Sequence, residues 1–206
     1  MPKNKMIIHD VEQGSDEWLK LRLGKFSGSN FGTLFMGKTT AGYNDLINEV
    51  AFKLITGKEP EGNFTNFWME RGTELEPAAR RQYEAYYGES VEQVGFVELN
   101  EHVGCSPDGL IGKHGMIEIK CPKYSTLINI HLKPKIDKGY YWQMQGGMWV
   151  CDREWCDYFV YHPDLEPYLE RVERDNSAIE QLEIEVNLAI EEVNKRIKQL
   201  GGNHVD

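Results

Sequence analysis

A short segment near the middle of the chain restricts the fold more than any other. Cys105-Ser106-Pro107-Asp108-Gly109 reads as a strand end or turn, and Met116-Ile117-Glu118-Ile119-Lys120 alternates with the period of two that marks a strand. Residues two apart in a strand point to the same face, so Glu118 and Lys120 share one side while Ile117 and Ile119 pack on the other. A hairpin between the two segments sets the Asp108 carboxylate beside Glu118, ten residues further along. The chain is therefore expected to build a sheet with two acids and a lysine gathered at one strand end.

The flanking periodicities supply the rest of the architecture. Residues about 14–24 read as a helix capped by Ser15, with Trp18, Leu21 and Arg22 at helical spacing. A second helix spans about 43–56, with Leu46, Ile47, Val50, Ala51, Leu54 and Ile55 as its apolar face and Gly57 as its stop. A third covers about 73–87 and ends at Gly88. Val91 to Leu99 is β-rich, about 138–150 is helical, and Trp155 to Tyr161 is a strand that Leu169 to Glu173 can pair with. A long helix follows at about 177–200, where Ser177 and Glu180 have capping-box spacing. Helices first, then strands interrupted by helices, predict an α/β fold of the α+β kind, a mixed sheet flanked by helices. No repeat, low-complexity tract or long linker divides the chain, so residues 1–206 are expected to form a single domain with a C-terminal helix.

That central cluster suits phosphodiester cleavage. Two carboxylates offer hard oxygen ligands to Mg²⁺ or Mn²⁺. Such an ion polarises a phosphoryl group and lowers the pKa of water, and a neighbouring lysine orients that water or stabilises the pentavalent phosphorus. The Ile119 carbonyl is a further candidate ligand, because a strand end leaves carbonyls unpaired. Glu-x-Lys by itself is an exposed ion pair worth little, and Asp-Gly by itself is a turn. Their order, spacing and apolar opposite face turn them into a candidate metal site.

Composition enters as a constraint on that reading. Net charge is −10, which by itself argues against a nucleic-acid partner, since phosphate binding wants positive potential. A metal site, however, concentrates acids that cations then neutralise. No apolar run reaches the roughly 18–20 residues that span a bilayer. The apolar part of Met1 to His9 is too short for a signal peptide. A cytoplasmic protein without a membrane partner is expected. Cys105, Cys121, Cys151 and Cys156 form no Cys-x-x-Cys pair, so they are expected to be free thiols.

Three more segments carry chemistry. In Gln13-Gly14-Ser15-Asp16-Glu17-Trp18 and Arg22-Leu23-Gly24-Lys25-Phe26-Ser27-Gly28-Ser29, Arg22 is a bidentate donor suited to phosphate. Ser27 and Ser29 add hydroxyls in a Gly-rich turn whose N–H groups can cradle an anion. The plain alternative pairs Arg22 with Asp16 or Glu17. In Glu70-Arg71-Gly72-Thr73-Glu74-Leu75-Glu76-Pro77-Ala78-Ala79-Arg80, Glu76 shares a helix face with Gly72, Ala79 and Tyr83, where an acid needs a partner. Thr73 and Glu76 also have capping-box spacing, which leaves a local role open. Tyr140-Tyr141-Trp142-Gln143-Met144-Gln145-Gly146-Gly147-Met148-Trp149-Val150 carries two amides, each able to contact water or phosphate without adding charge.

Pro107-Asp108, the ten-residue step and Glu118-x-Lys120 resemble the core of the PD-(D/E)xK nucleases, a restriction-endonuclease-like fold. With Cys121-Pro122 and the three segments above, the chain resembles the phage lambda-type alkaline exonucleases, the YqaJ-like viral recombinase family, from about Gln13 to Tyr161. The resemblance implies a double-strand-specific exonuclease that degrades one strand 5′ to 3′, giving mononucleotides and a 3′ single strand for recombination. It implies a homotrimeric ring around double-stranded DNA ends, in a phage or prophage protein acting inside a bacterium, with a single-strand annealing protein as partner. A ring with a basic channel, to which Lys25, Lys38, Lys123, Lys133 and Lys135 are candidates, reconciles DNA binding with the net charge. The implied roles are Asp108, Glu118 and the Ile119 carbonyl on one ion, and Asp108 with Glu76 on a second, roughly 4 Å away. Lys120 and Gln143 orient the attacking water, with Gln145 the competing amide, and Arg22, Ser29, Ser27 and Ser106 hold the terminal 5′-phosphate. Two rivals remain open: an endonuclease on the same core, and a catalytically silent DNA-end-binding accessory protein.

Overall fold

The computed structural model describes residues 6–61 and 67–201; Met1 to Lys5, part of the segment weighed as a signal peptide, lie outside the described residues. A short strand, β1 (Ile7–His9), precedes a helical stretch. This comprises α1 (Asp16–Arg22), α2 (Gly28–Phe31) continuing into a 3-10 turn (Gly32–Phe35), α3 (Ala41–Thr56) and α4 (Phe67–Tyr87). Five strands follow: β2 (Val91–Glu92), β3 (Phe96–Asn100), β4 (Val103–Cys105), β5 (Gly109–Ile111) and β6 (Gly115–Lys120). The chain then forms α5 (Tyr124–Leu132), α6 (Lys138–Val150), β7 (Trp155–His162), β8 (Leu165–Glu173) and α7 (Asn176–Gln199).

The main sheet runs β2-β5-β6-β7-β8. Only β6 and β7 pair in parallel, and the crossover between them carries α5 and α6. The other pairs are antiparallel, so the sheet is mixed and flanked by helices, as the element pattern predicts. A smaller sheet, β1-β3-β4, is tied to the N-terminal helices where Phe26 bridges Val103.

Alternation along β6 and β7 feeds two cores. Met116, Cys156, Tyr158 and Val160 join residues of α3, α6 and α7 on one face. Ile117, Ile119, Phe159 and Tyr161 join Ala79 and Tyr83 of α4 on the other. Both faces are therefore covered, and Glu118 follows Met116 into a buried layer. An acid in such a layer contradicts the local pattern, and contradictions of this kind collect at functional sites.

The helix ends follow from side-chain caps. Ser15 accepts from Trp18 N at 3.2 Å and Thr40 from Tyr43 N at 3.4 Å, and Gly57 closes α3 at φ 66°. Four expected boundaries are corrected. The C-terminal helix is capped by Asp175, which accepts from Ala178 N at 3.1 Å, so the Ser177 and Glu180 box does not form. Helix α4 begins at Phe67, which puts Thr73 and Pro77 in its interior and removes the local capping role for Glu76. The β-rich run from Val91 breaks into β2 and β3 around Gly95, whose backbone lies too close to Val11 for a side chain. Strand β8 starts at Leu165, well before Leu169. Among the described residues no helix is long and apolar enough to cross a membrane.

Candidate active site

The hairpin forms in the expected register, with Gly109 opposite Ile117 and Leu110 opposite Met116. Asp108 stands just before β5, and its Oδ2 accepts from Ile119 N at 2.6 Å. That bond also orients the strand edge. The N–H and C=O of one strand residue point the same way, so the Ile119 carbonyl points away from β7, past the end of the β5 ladder.

Glu118 is 4% exposed. Its Oε1 forms an ion pair with the Lys120 ammonium at 2.5 Å. The ammonium also lies 3.4 Å from Gln143 Oε1 and 4.6 Å from the centre of the Tyr140 ring. Burial works against the lysine charge, but Glu118 and Asp108 outweigh it and raise the Lys120 pKa, so the group stays a cation.

Glu76 reaches the same centre from α4. Its carboxylate accepts from Arg80 Nη2 at 2.5 Å, and the same Nη2 donates to the Asp108 carbonyl at 3.0 Å. Burial raises the pKa of Glu76, with Arg80 opposing and Glu118 adding to the rise. Asp108 is pushed well above the carboxylate range by desolvation, then by Glu118 and Glu76. The Glu118 charge thus adds to burial in raising both Glu76 and Asp108, the signature of a site short of positive charge. Asp157 is the contrast. This buried acid on β7 accepts from Tyr83 Oη at 2.6 Å and from Arg171 Nε and Nη2 at 2.7 and 2.9 Å, which saturates it.

A divalent cation fits the donor set. Among the described residues no three His, Cys, Asp or Glu side chains converge tightly enough to cage an ion by themselves. The carboxylates of Asp108, Glu118 and Glu76, with an edge carbonyl, do offer hard oxygens gathered around one centre.

The glutamine ambiguity resolves in space. Gln145 is fully buried and spends its amide on Glu173 O and Asp175 N, both at 2.9 Å, where it joins α6 to the β8–α7 junction. Gln143 faces Lys120 across a cleft of about 480 Å³ that Ser29, Gly32, Thr33 and Tyr140 also line. Close packing brings Ser29 there: a Cβ on Gly146 would collide with Phe31, and one on Gly28 would already touch Gln143.

Among the described residues, three of the four expected around a phosphate, Ser29, Arg22 and Ser106, keep donors free. Ser29 is exposed at the cleft, and Arg22 stacks on Trp18 with its guanidinium carbon 4.0 Å from the ring centre. Among the described residues Arg22 makes no hydrogen bond or ion pair, so the pairing with Asp16 or Glu17 does not occur. Ser27 is buried as the N-cap of α2, and Ser106 accepts from Trp18 Nε1 at 2.8 Å. The N–H groups of Ser27, Asn30 and Phe31 already bond within their turn, so an anion cradle there would fall to those of Gly28 and Ser29. Lys25 is likewise committed, to Glu98 and to the carbonyls of Asn100 and Glu101.

Arg80, Gln93 and Tyr140 belong to this neighbourhood but were not singled out in the sequence. The i, i+4 spacing of Glu76 and Arg80 was the one available signal.

Comparison with known proteins places this geometry in context. The profile of the YqaJ-like viral recombinase domain matches residues 17–154. An alkaline exonuclease (LHK-Exo) from Laribacter hongkongensis is 35% identical, with a TM-score of 0.84 over 91% of this chain and 96% of that one. Its complex with dAMP gives 35% identity and a TM-score of 0.83 over 90% and 96%. A phage-related exonuclease from Haemophilus somnus, 17% identical, shares the fold with a TM-score of 0.64 over 85% of this chain and 96% of that one. No curated protein sequence matches.

Proposed function

The chain belongs to the YqaJ-like viral recombinase domain family, and on that premise we propose that it is a metal-dependent exonuclease of double-stranded DNA. It degrades one strand 5′ to 3′ from a duplex end, leaving a 3′ single strand for recombination by a strand-annealing partner. The observation that carries the reading is Glu118: a carboxylate only 4% exposed, ion-paired to Lys120 and set beside Asp108 at an open strand edge. The similarity to LHK-Exo, an alkaline exonuclease seen with dAMP, supports a nucleotide-sized product.

Asp108, Glu118 and the Ile119 carbonyl would hold one Mg²⁺, and Asp108 with Glu76 would help hold a second. Bound there, Mg²⁺ supplies Lewis acidity toward the scissile phosphate and a nucleophile at working pH. Lys120, kept cationic by Glu118 and Asp108, stabilises charge building on the phosphorus oxygens and does not act as a base. Gln143 holds the Lys120 ammonium in place and orients the attacking water through its amide. Arg22 and Ser29 take the terminal 5′-phosphate, and Arg22 keeps its guanidinium plane fixed on Trp18 for that purpose.

The test uses linear duplexes with 5′-phosphate, 5′-hydroxyl or blocked ends, and a closed circle, with and without Mg²⁺. Only the linear 5′-phosphate duplex should be degraded quickly. Lys120→Ala should abolish cleavage, roughly a 10²–10³-fold loss, while still retaining labelled ends. A nicked or linearised circle would replace the exonuclease by an endonuclease. Indifference to the 5′ group would remove Arg22 and Ser29 from the site.

A further inference from the structure

Two of the three acids proposed for the metal centre come from different layers, Asp108 from the β5 edge and Glu76 from α4, and a single side chain joins them. Arg80 is 7% exposed. One of its terminal nitrogens, Nη2, lies 2.5 Å from Glu76 Oε1 and 3.0 Å from the main-chain oxygen of Asp108. Gln93, with its amide turned oxygen-first, accepts from Nη1 at 2.7 Å and from Nη2 at 3.1 Å and so braces the fork from outside. The remaining nitrogen, Nε, is buried with no hydrogen-bond partner among the described residues. Helix α4 is tied down a second time by Arg71, which donates to the carbonyls of Cys121 and Pro122 at 2.8 and 3.1 Å. The two arginines thus bracket Glu76, one on the segment leading into β5 and one on the segment leaving β6.

We infer that Arg80 is a positioning residue: it fixes the Glu76 carboxylate against the Asp108 main chain, so that both acids meet the cations at one spacing. It rests on the phosphodiesterase reading above. A guanidinium that already occupies Glu76 Oε1 leaves Oε2 as the oxygen directed at a cation, and its bond to a main-chain oxygen persists whatever the carboxylate does. Removing the fork has two opposed effects. It deletes a positive charge beside a cation site, which favours cation binding. It also lets Glu76 swing away from its place, and a displacement of about 1 Å costs on the order of a hundredfold in turnover. A residue that merely holds α4 in the fold would weaken binding and turnover together. A positioning residue separates them.

The experiment compares the full-length wild type with Arg80→Met and Arg80→Lys. Mn²⁺ binding is read without DNA from the electron paramagnetic resonance signal of the free ion, and kcat and KM are read on a 5′-phosphorylated duplex. Arg80→Met should bind Mn²⁺ at least as tightly as wild type, keep KM within twofold, and lose kcat by at least tenfold. Arg80→Lys keeps the charge but lacks the fork, and should regain less than a third of the lost kcat. Mn²⁺ affinity falling in parallel with kcat in both variants would overturn the inference, as would wild-type kcat in Arg80→Lys. Should Arg80→Met not fold, the lysine variant and Gln93→Ala, expected to lower kcat about threefold at unchanged Mn²⁺ affinity, decide the matter; an unaltered kcat in Gln93→Ala and full recovery in Arg80→Lys would overturn it. Absence of metal-dependent turnover in the wild type would instead refute the phosphodiesterase reading and leave the clamp geometry untouched.

Discussion

Asp108 sits where its ionised form is least welcome. Desolvation, Glu118 and Glu76 all push its pKa up, and the Lys120 charge with the Ile119 N–H only partly opposes them. An acid whose folded pKa exceeds its unfolded value stabilises the native state below the ordinary carboxylate range and loses that contribution as pH rises through the folded value. Above that range the empty site is therefore a liability to the fold, one that cations relieve. Asp108→Asn keeps an oxygen for the Ile119 N–H and removes the charge. Without metal, at pH 8, it should raise stability by about 1 kcal/mol, which is roughly 2–4 °C in Tm for a chain of this size. The gain should shrink toward pH 5, and cleavage should vanish at every pH; a lower Tm at pH 8 would contradict this account. The sequence made Asp108, Glu118 and Lys120 readable because a turn and a two-residue period place them together with no knowledge of the rest. Arg80 was not readable in that way. Its partner carbonyl lies 28 residues away on another element, and main-chain acceptors leave no trace in side-chain type. Gln143 and Gln145 could not be separated either, since both sit in one apolar-rich run and the choice depends on which face of α6 meets β6.

Helix α6 is the element on which the cleft depends. Its small residues admit α2 at close range: a side chain on Gly146 would enter the Phe31 ring, and Gly28 touches Gln143. Strand β6, α6 and α2 thus meet at Lys120, Gln143 and Ser29. Gly146→Ala should force Phe31 and the Ser27–Phe31 turn outward, an overpacking expected to destabilise by about 1–3 kcal/mol. If the turn carries Ser29 as proposed, preference for 5′-phosphate over 5′-hydroxyl ends should fall more than kcat on the phosphate end does. Thermal unfolding and paired substrates measure the two effects, and an unchanged Tm would show that the contact yields freely. Elements with a complete local signature were readable: α3 has its apolar face and a left-handed Gly57, and β7 is a continuous β-rich run. Those set by distant contacts were not. The helix expected at about 73–87 extends back to Phe67 and carries Pro77 inside. Helix α5 has no clean apolar stripe: Leu127 and Ile130 meet the core, while Tyr124, Ile128 and Leu132 are exposed.

For the whole molecule the problem is charge. A chain with net charge −10 must hold a polyanion, and Lys25 and Lys38, two of the lysines named for that task, pair with Glu98 and Glu185. The ring of three copies that the family resemblance implies would answer this by confining positive potential to the channel, leaving the acidic exterior free to repel other duplexes. A ring requires each copy to bury surface against the next. The structure offers a candidate face on α5, where Tyr124, Ile128 and Leu132, at positions i, i+4 and i+8, are 62%, 42% and 75% exposed. An aligned apolar stripe left in water marks an interaction site more often than three scattered residues do. Sedimentation at micromolar concentration should give three times the chain mass of 23.8 kDa. Leu132→Glu alters a side chain that the single copy leaves in solvent, so its intrinsic stability should stay within about 0.5 kcal/mol. Assembly is what it should break, and with it the long runs of digestion from one end: product lengths from a single encounter should fall while the first cleavage at each end persists. A wild-type mass of one chain would remove the ring. A trimeric Leu132→Glu protein with undiminished run length would keep the ring and move its interface away from α5.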